Sequence, residues 1–305
     1  MPDITLLGTG GMLPLKDRFL TSLYVEHNGK ALLIDCGEGT QVAVATHGLK
    51  LSKIEAILIT HLHADHIAGL PGLLLSLGNT GRSHPLPIYC GDNAAEFVRH
   101  ALFVAGGLPF EVHIHRLPEQ ECSKITFGRI DERLVIETLP LCHRVPCLGY
   151  RLTFGKKPEF MPENARALGI PVEYWKTLHD GESVTLPDGR TVTPEEVTGA
   201  ARSPVRIVYT TDTLPIPEIV AFAEQADLFV CEGMWGMADK KESMDQKRHM
   251  LMQDACKLAK QAQVKCLWLT HYSPAEKEPV AYQGTLQSIF AQTTISQDGQ
   301  HLQLK

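Results

Sequence analysis

Thr60–His66, which reads T-H-L-H-A-D-H, is the stretch that decides how this 305-residue chain folds and what chemistry it carries. It places four metal-ligating side chains within six residues: His61, His63, Asp65 and His66. Apolar runs at 56–59 and 67–70 flank it, and this pattern predicts a buried strand, a ligand-bearing loop and then a helix. Imidazole and carboxylate donors suit Zn²⁺, at about 2.0 to 2.2 Å. A surface histidine cluster is the alternative, but such clusters rarely interrupt an apolar strand-to-helix junction.

Length and composition indicate a globular protein. At 305 residues the chain can form one large or two small domains with a sizeable core. A hydrophobic fraction of 44% and a charged fraction of 21% exclude a disordered or collagen-like chain. The formal net charge of −6 gives no global attraction to nucleic acid, so a polyanionic partner would need a local patch around a cationic metal centre.

The cysteine pattern and the hydropathy of the chain indicate the cellular compartment in which the protein works. The eight cysteines form no C-x-x-C pair, and no basic segment followed by a long apolar stretch begins the sequence. We therefore expect reduced thiols and a cytoplasmic location. The longest apolar region, 67–77, contains Pro71 and Gly72 and is too short to cross a bilayer, so we expect no membrane association.

The N-terminal third is predicted to begin as a β-meander. A strand from Ile4 runs into a glycine-rich turn, and Asn28-Gly29 separates two apolar runs as in a tight hairpin. The second of these runs ends at Asp35. Two roles stay open for this carboxylate: a turn or cap group, or a partner that holds a ligating histidine in the correct tautomer.

Further along, strands alternate with helices in both halves, which predicts one layered α/β domain over residues 1–305. His113 and His115 share one face of a predicted strand and are expected to be solvated rather than ligands. Residues 245–261 have the apolar spacing of a single amphipathic helix. The polar segment 155–199 is predicted to be a projecting arm inserted into the domain.

Three more ligand candidates stand where apolar strands stop: His143, Asp212 and His271. For each alone, an ordinary polar residue at a strand end would be the favoured interpretation. Their repeated placement, together with the first motif, gives seven nitrogen and oxygen donors. Because one zinc ion needs four ligands, the count predicts two metal ions with a bridging carboxylate.

At this point the sequence resembles the metallo-β-lactamase superfamily, whose H-x-H-x-D-H motif matches residues 61–66. The resemblance implies a four-layer αβ/βα sandwich with a dinuclear zinc site along one edge. It also implies that one zinc binds His61, His63 and His143. The other would bind Asp65, His66 and His271, and Asp212 would bridge the two. Mn²⁺ or Fe²⁺ would accept the same donor set.

Within that superfamily the chain resembles the ribonuclease Z family over nearly its whole length. The shared features are the L-L-G-T-G turn at 6–10, the P-x-K-x-R loop at 14–18, the D-C-G-E-G-T turn at 35–40, the arm and Thr270-His271. The resemblance implies an endonuclease that removes the 3' trailer of precursor tRNA, working as a homodimer in which one subunit's arm serves its partner's active site. The candidate substrate contacts are Pro14, Lys16, Arg18, Tyr174 and Trp175.

Phosphodiester hydrolysis at such a centre would proceed by attack of a metal-activated hydroxide on phosphorus. Asp65 is expected to orient or deprotonate this nucleophile. The departing 3' oxygen needs a proton from elsewhere, and Glu232 and His249 are the candidate donors. For His249, an exposed histidine near a helix start is the alternative.

Two other functions stay open. Residues 151–200 hold six Lys or Arg against eight Asp or Glu, whereas a segment that grips tRNA should be positive. The acidic arm favours a small-molecule hydrolase that acts on a phosphodiester, lactone or sulfate ester. Tyr174 and Trp175 could stack on bases, or could serve a dimer contact or a small arm core. A non-catalytic RNA-binding or structural zinc protein is the third class, which the complete ligand set disfavours.

Overall fold

The computed structural model describes residues 1–236 and 240–304. These residues form two compact units, one built from Met1–Thr153 and Arg206–Lys305 and the other from Phe154–Val205. Across the described ranges, no helix has both the length and the apolar character needed to cross a membrane.

The larger unit contains two seven-stranded sheets within the described residues. The strands of the first sheet are β1 (Asp3–Gly8), β2 (Ser22–His27), β3 (Lys30–Ile34), β4 (Ile54–Leu58), β5 (Leu86–Cys90), β6 (Val112–Arg116) and β16 (Gln300–Gln303), in the spatial order 16-1-2-3-4-5-6. The strands of the second are β7 (Lys124–Thr126), β8 (Leu134–Leu141), β9 (Cys147–Phe154), β12 (Val205–Thr210), β13 (Leu228–Glu232), β14 (Leu267–Thr270) and β15 (Thr293–Ile295), in the order 15-14-13-12-9-8-7.

Helices connect the parallel strands of both sheets. In the first half of the larger unit they are α1 (Thr40–Thr46), α2 (Ala64–Ile67), α3 (Leu70–Asn79) and α4 (Asp92–Ala105). In its second half they are α7 (Glu218–Phe222), α8 (Lys241–Lys247), α9 (Met252–Gln261) and α10 (Gln283–Ile289). Because β3 to β6 and β12 to β15 run parallel within their sheets, the carboxyl ends of the strands in each set share one edge of their sheet.

The predicted β-meander is present. Asn28 and Gly29 have φ values of 51° and 77°, so both occupy the left-handed region that a two-residue hairpin turn requires. β2 and β3 pair antiparallel across this turn, from His27 opposite Lys30 to Leu23 opposite Ile34. The turn therefore fixes the register that brings the chain from β3 to Asp35.

The two sheets pack face to face, and helices cover their outer faces. On one outer face, Leu33, Ile57 and Ile88 pack against the apolar sides of α3 and α4. On the other, Phe229 and Leu269 pack against α9. Hydrogen bonds also join β9 to the segment that follows β4, since the Tyr150 hydroxyl donates to the Ile59 carbonyl at 2.7 Å and the Leu148 amide to the Thr60 carbonyl at 3.0 Å. The layers are thus helix, sheet, sheet and helix.

The single helix predicted over 245–261 is wrong, because α8 ends at Lys247 and α9 begins only at Met252. Arg248 has φ 58° and ψ 53°, in the left-handed region, and Leu251 is extended. The backbone in between pairs with another segment, since the Met252 amide donates to the Trp235 carbonyl at 3.0 Å. Apolar periodicity alone does not reveal this competing set of hydrogen bonds.

The smaller unit, Phe154–Val205, has its own core. Its elements are α5 (Pro162–Ala167), α6 (Trp175–Asp180), β10 (Val184–Thr185) and β11 (Thr191–Val192). Tyr174 and Trp175 pack against the buried side chains of this unit, and the Trp175 indole donates to the Ile170 carbonyl at 2.9 Å. Of the open interpretations for this aromatic pair, the structure supports a small core. That the unit is an arm inserted into a single domain stays a prediction.

Candidate metal centre

The seven predicted ligands come together beyond the carboxyl ends of strands of both sheets. His61, His63, Asp65 and His66 follow β4, His143 follows β8, Asp212 follows β12 and His271 follows β14. Their donor atoms form two adjoining groups, each within 4.8 Å: one of His61, His63, His143 and Asp212, and one of Asp65, His66 and His271.

Asp212 faces both groups with different oxygens. Its Oδ2 lies 3.5 Å from His61 Nε2 and 3.7 Å from His143 Nε2. Its Oδ1 lies 3.2 Å from His66 Nε2 and 3.1 Å from His271 Nε2. A carboxylate held in this way can bridge two adjacent cations.

The donor atoms fit a metal better than they fit one another. His61 Nε2 is buried and has no hydrogen-bond partner among residues 1–236 and 240–304, and such orphaned polar atoms are costly unless something else satisfies them. His63 Nδ1 lies 3.2 Å from His143 Nε2, and His66 Nε2 lies 3.1 Å from His271 Nε2. Converging imidazole nitrogens are typical of a site that binds a transition metal.

Asp35 fixes the orientation of His66. This fully buried carboxylate lies 2.8 Å from His66 Nδ1, and it accepts hydrogen bonds from the amide and hydroxyl of Thr60. The contact directs His66 Nε2 towards Asp212 and His271. Of the two roles left open for Asp35, the structure shows the contact with His66, a predicted ligand; that this contact sets the tautomer of a metal-bound ring stays a prediction.

Arg248 holds His143 in a similar way. The Arg248 carbonyl lies 3.0 Å from His143 Nδ1, and the Arg248 guanidinium donates back to the His143 carbonyl at 2.7 Å. This reciprocal pair leaves His143 Nε2 directed at the centre. Arg248 has a left-handed backbone conformation, and its carbonyl points at the His143 ring. The break between α8 and α9 therefore coincides with this contact.

His249 and Glu232 form a buried pair beside the ligands. Glu232 Oε2 lies 2.9 Å from His249 Nδ1, while Oε1 accepts from the Thr213 amide. His249 Nε2 lies 4.0 Å from Asp212 Oδ2. His249 lines the cavity over the centre, whereas Glu232 is fully buried behind it. Glu232 therefore contacts His249 and does not line the cavity, and its role in proton donation stays a prediction.

Burial and charge divide the ionisable groups into two sets. Burial lowers the pKa of His143 to about 4 and that of His61 well below its usual value, so both rings are neutral donors at neutral pH. Burial opposes ionisation of Asp65 and Asp212, but the neighbouring histidines hold the pKa of each carboxyl well below its usual range. These two carboxylates are therefore ionised.

Two histidines keep their protons instead. Burial lowers the pKa of His66, but Asp212, Asp65 and Asp35 together raise it well above its usual value. A metal that binds His66 must therefore displace a proton. Burial also lowers the pKa of His249, but Glu232 raises it to about 9. Protonated His249 can thus donate a proton at neutral pH.

The loop after β1 approaches the centre closely. The Met12 amide donates to Asp65 Oδ2 at 2.6 Å. A Cβ added at Gly11 would lie 2.6 Å from Cε1 of the His271 ring, so glycine allows the backbone to pass this ligand. The predicted glycine-rich turn thus packs the chain tightly against the predicted ligands Asp65 and His271.

An open cavity of about 410 Å³ covers the centre. Its walls include Asp65, Asp212 and His249, together with Arg144 and Lys247. Sequence reasoning missed both cations. The sequence does place both cations next to predicted site residues, because Arg144 directly follows a predicted ligand and Lys247 lies two residues before His249.

The remaining predicted residues lie outside the ligand groups. Pro14 and Lys16 are exposed on their loop, while Arg18 donates to the carbonyls of Ser273 and Glu276. His113 and His115 are exposed on β6, as expected. None of these residues belongs to the potential metal-binding groups found in the described part of the chain.

Solved structures with this architecture identify the fold. The human short form of tRNase Z superposes with a TM-score of 0.69 at 23% identity, over 99% of both chains. The metallo-β-lactamase fold protein YhfI from Bacillus subtilis gives the same TM-score at 20% identity, over 99% of this chain and 98% of that one. The fold is therefore the four-layer metallo-β-lactamase sandwich, as predicted, and it carries a metal-binding His/Asp cluster.

Sequence relatives narrow the class to a family. The chain is 41% identical to ribonuclease Z of Lachnospira eligens, over 100% of this chain and 98% of that protein. A family model described as Anti-Pycsar protein Apyc1 also matches, over residues 2–106 only. The chain belongs to the ribonuclease Z family, and the resemblance noted from its motifs is confirmed.

Proposed function

We propose that this protein is a dinuclear zinc endoribonuclease that removes the 3' trailer of precursor tRNA. The proposal is carried by the two adjoining ligand groups at one cavity, which face different oxygens of Asp212. Family membership supplies the substrate class. We further propose that the protein works in the cytoplasm as a homodimer, and that Mn²⁺ or Fe²⁺ can replace Zn²⁺ in the same donor set.

The proposed chemistry uses two side chains that line the cavity, Asp65 and His249, together with Glu232 behind His249. When bound, the metal ions would activate a water molecule and neutralise the charge that develops on the phosphoryl oxygens. Asp65, held by the Met12 amide, would orient that water and accept its proton. His249 would donate the proton on Nε2 to the departing 3' oxygen, because its Nδ1 is occupied by Glu232.

The test is cleavage of a 3'-extended precursor tRNA by the metal-loaded protein. We expect release of an intact trailer, and we expect Asp65→Ala to stop it because the variant lacks both a ligand and the proposed base. Exposed Asp245 lies on α8 outside the ligand groups, so Asp245→Ala is a matched control that should cleave normally. Failure of the metal-loaded wild type on several precursors would overturn the proposal.

A small-molecule hydrolase on the same scaffold is the second candidate. The net acidic composition of residues 151–200 favours it, because phosphate neutralisation by cations supplies most non-specific affinity for RNA. Turnover of bis-(4-nitrophenyl) phosphate or a lactone, without cleavage of any precursor tRNA, would select this candidate.

A further inference from the structure

The cavity over the metal centre has two cationic side chains that the chemistry above leaves unused, Arg144 and Lys247. Both residues are exposed. Neither side chain forms an ion pair or a hydrogen bond with any residue in 1–236 or 240–304. Carboxylates do line the same cavity, but Asp65 and Asp212 are directed at the ligand histidines. The two cations are therefore available to a ligand that enters the cavity.

The backbone keeps these cations at the cavity. Arg144 follows His143 and Lys247 precedes Arg248, and His143 and Arg248 are joined by the reciprocal pair of hydrogen bonds at 3.0 and 2.7 Å. The same contacts that orient a metal ligand thus fix the two segments that carry the charges. Cations that line one cavity without a carboxylate partner repel one another, and a bound anion removes that cost.

The expected anion follows from the place of the cations. The reacting phosphate would lie at the His/Asp groups, so Arg144 and Lys247 on the cavity wall are left for other charges of the same ligand. An RNA strand carries such charges on the nucleotides either side of the cleaved bond. Arginine binds phosphate oxygens through its planar fork of donors, and lysine binds them as a point charge.

We propose that Arg144 and Lys247 form a clamp for the RNA phosphates that flank the cleaved phosphodiester. This inference rests on the proposed function, since it takes an RNA strand as the substrate. It explains how a chain of net charge −6 with an acidic smaller unit can hold a polyanion. The positive charge is concentrated at the cavity instead of being spread over the surface.

The primary test measures binding rather than catalysis. Metal-stripped protein is titrated with a 3'-extended precursor tRNA at several salt concentrations. Each lost phosphate contact should reduce the slope of log affinity against log salt by about 0.7 to 0.9. We expect the Arg144→Gln/Lys247→Gln double variant to lose about one to two units of slope. The charge-conserving Arg144→Lys/Lys247→Arg variant should keep the wild-type slope.

Two controls separate a clamp from a structural effect. Lys260 is exposed in the last turn of α9, and Lys260→Gln should keep the wild-type slope. Bis-(4-nitrophenyl) phosphate has a single phosphate and no neighbours to clamp. The double variant loaded with metal should therefore hydrolyse it within about twofold of wild type, while kcat/KM for precursor tRNA falls roughly tenfold or more.

The outcomes distinguish the clamp from the function on which it rests. If wild type cleaves precursor tRNA and the double variant keeps its salt slope, the clamp is wrong and the proposed function stands. If the double variant loses activity on both substrates by the same factor, the substitutions affect the metal centre itself, and the clamp is again wrong. If wild type cleaves no precursor, the proposed function fails and the RNA clamp fails with it.

Discussion

At the scale of single residues, the structure shows that hydrogen-bonding partners orient two of the predicted ligands, His66 and His143. Asp35 and the Arg248 carbonyl each occupy Nδ1 of a ligating histidine, at 2.8 and 3.0 Å. In both cases Nε2 is left to face Asp212. A ring fixed in this way loses less conformational freedom when it binds a metal, so these partners should influence metal affinity directly.

Asp35→Asn should weaken metal binding by roughly tenfold or more, because the variant loses the negative charge that fixes the His66 tautomer. The measurement is competition with a chelator of known affinity. Asp131 is also buried and contacts a histidine, His27, but lies outside the ligand groups. Asp131→Asn should leave metal affinity unchanged, and an equal loss in both variants would contradict the role of Asp35.

Glu232→Gln should lower kcat for precursor tRNA by roughly a hundredfold while the metal content stays at the wild-type level. The amide can still accept from Thr213, but it cannot stabilise the charged His249 ring. Because the two residues act as one unit, the Glu232→Gln/His249→Gln double variant should lose no more than His249→Gln alone. Losses that multiply in the double variant would show that the two side chains act independently.

At the scale of elements, the ends of strands explain why so much of the site is predictable from sequence. Parallel strands deliver their carboxyl ends to one edge, so an apolar run followed by His or Asp is a candidate ligand, as at Asp212 and His271. The break after α8 escaped prediction because apolar spacing continues through it. Arg144 and Lys247 were not predicted because exposed cations do not follow the apolar periodicity of helices and strands. Only the folded structure shows that both line the same cavity.

The turn after β1 offers a test at this scale. Gly11→Ala would place a methyl group 2.6 Å from the His271 ring, so the ring or the turn must move. We expect weaker metal binding and reduced cleavage, with the fold retained as judged by circular dichroism. Gly107 has nothing within 4 Å of an added Cβ, and Gly107→Ala should behave as wild type. Unchanged metal affinity in Gly11→Ala would show that this close packing is irrelevant to the centre.

At the scale of the whole molecule, substrate choice is the part that the sequence determines least. The ligand pattern predicts the metal chemistry. The acidic composition of the smaller unit, by contrast, favours a small-molecule substrate over tRNA. Its aromatic pair, Tyr174 and Trp175, turns out to pack on the core of that unit. If this unit contributes to RNA binding, its contribution must come from shape or from a few cations rather than from net charge.

The smaller unit can be removed at a point where its two ends already meet. Gly199 donates to the Glu159 carbonyl at 2.8 Å, so residues 160–198 can be replaced by an Asn-Gly turn. We expect the shortened protein to keep its metals and its hydrolysis of bis-(4-nitrophenyl) phosphate but to lose cleavage of precursor tRNA. Undiminished cleavage of the precursor would exclude a role of this unit in substrate binding.

We propose that the seven donors form one two-metal centre that cuts precursor tRNA. The most direct measurement is a titration of metal-stripped protein with Zn²⁺, in which released trailer and bound metal are measured in the same samples. We predict that cleavage rises until two zinc ions are bound per chain and that Asp212→Ala never reaches this level. Cleavage that is complete at one zinc ion per chain, or absent at every loading, would contradict the central claim.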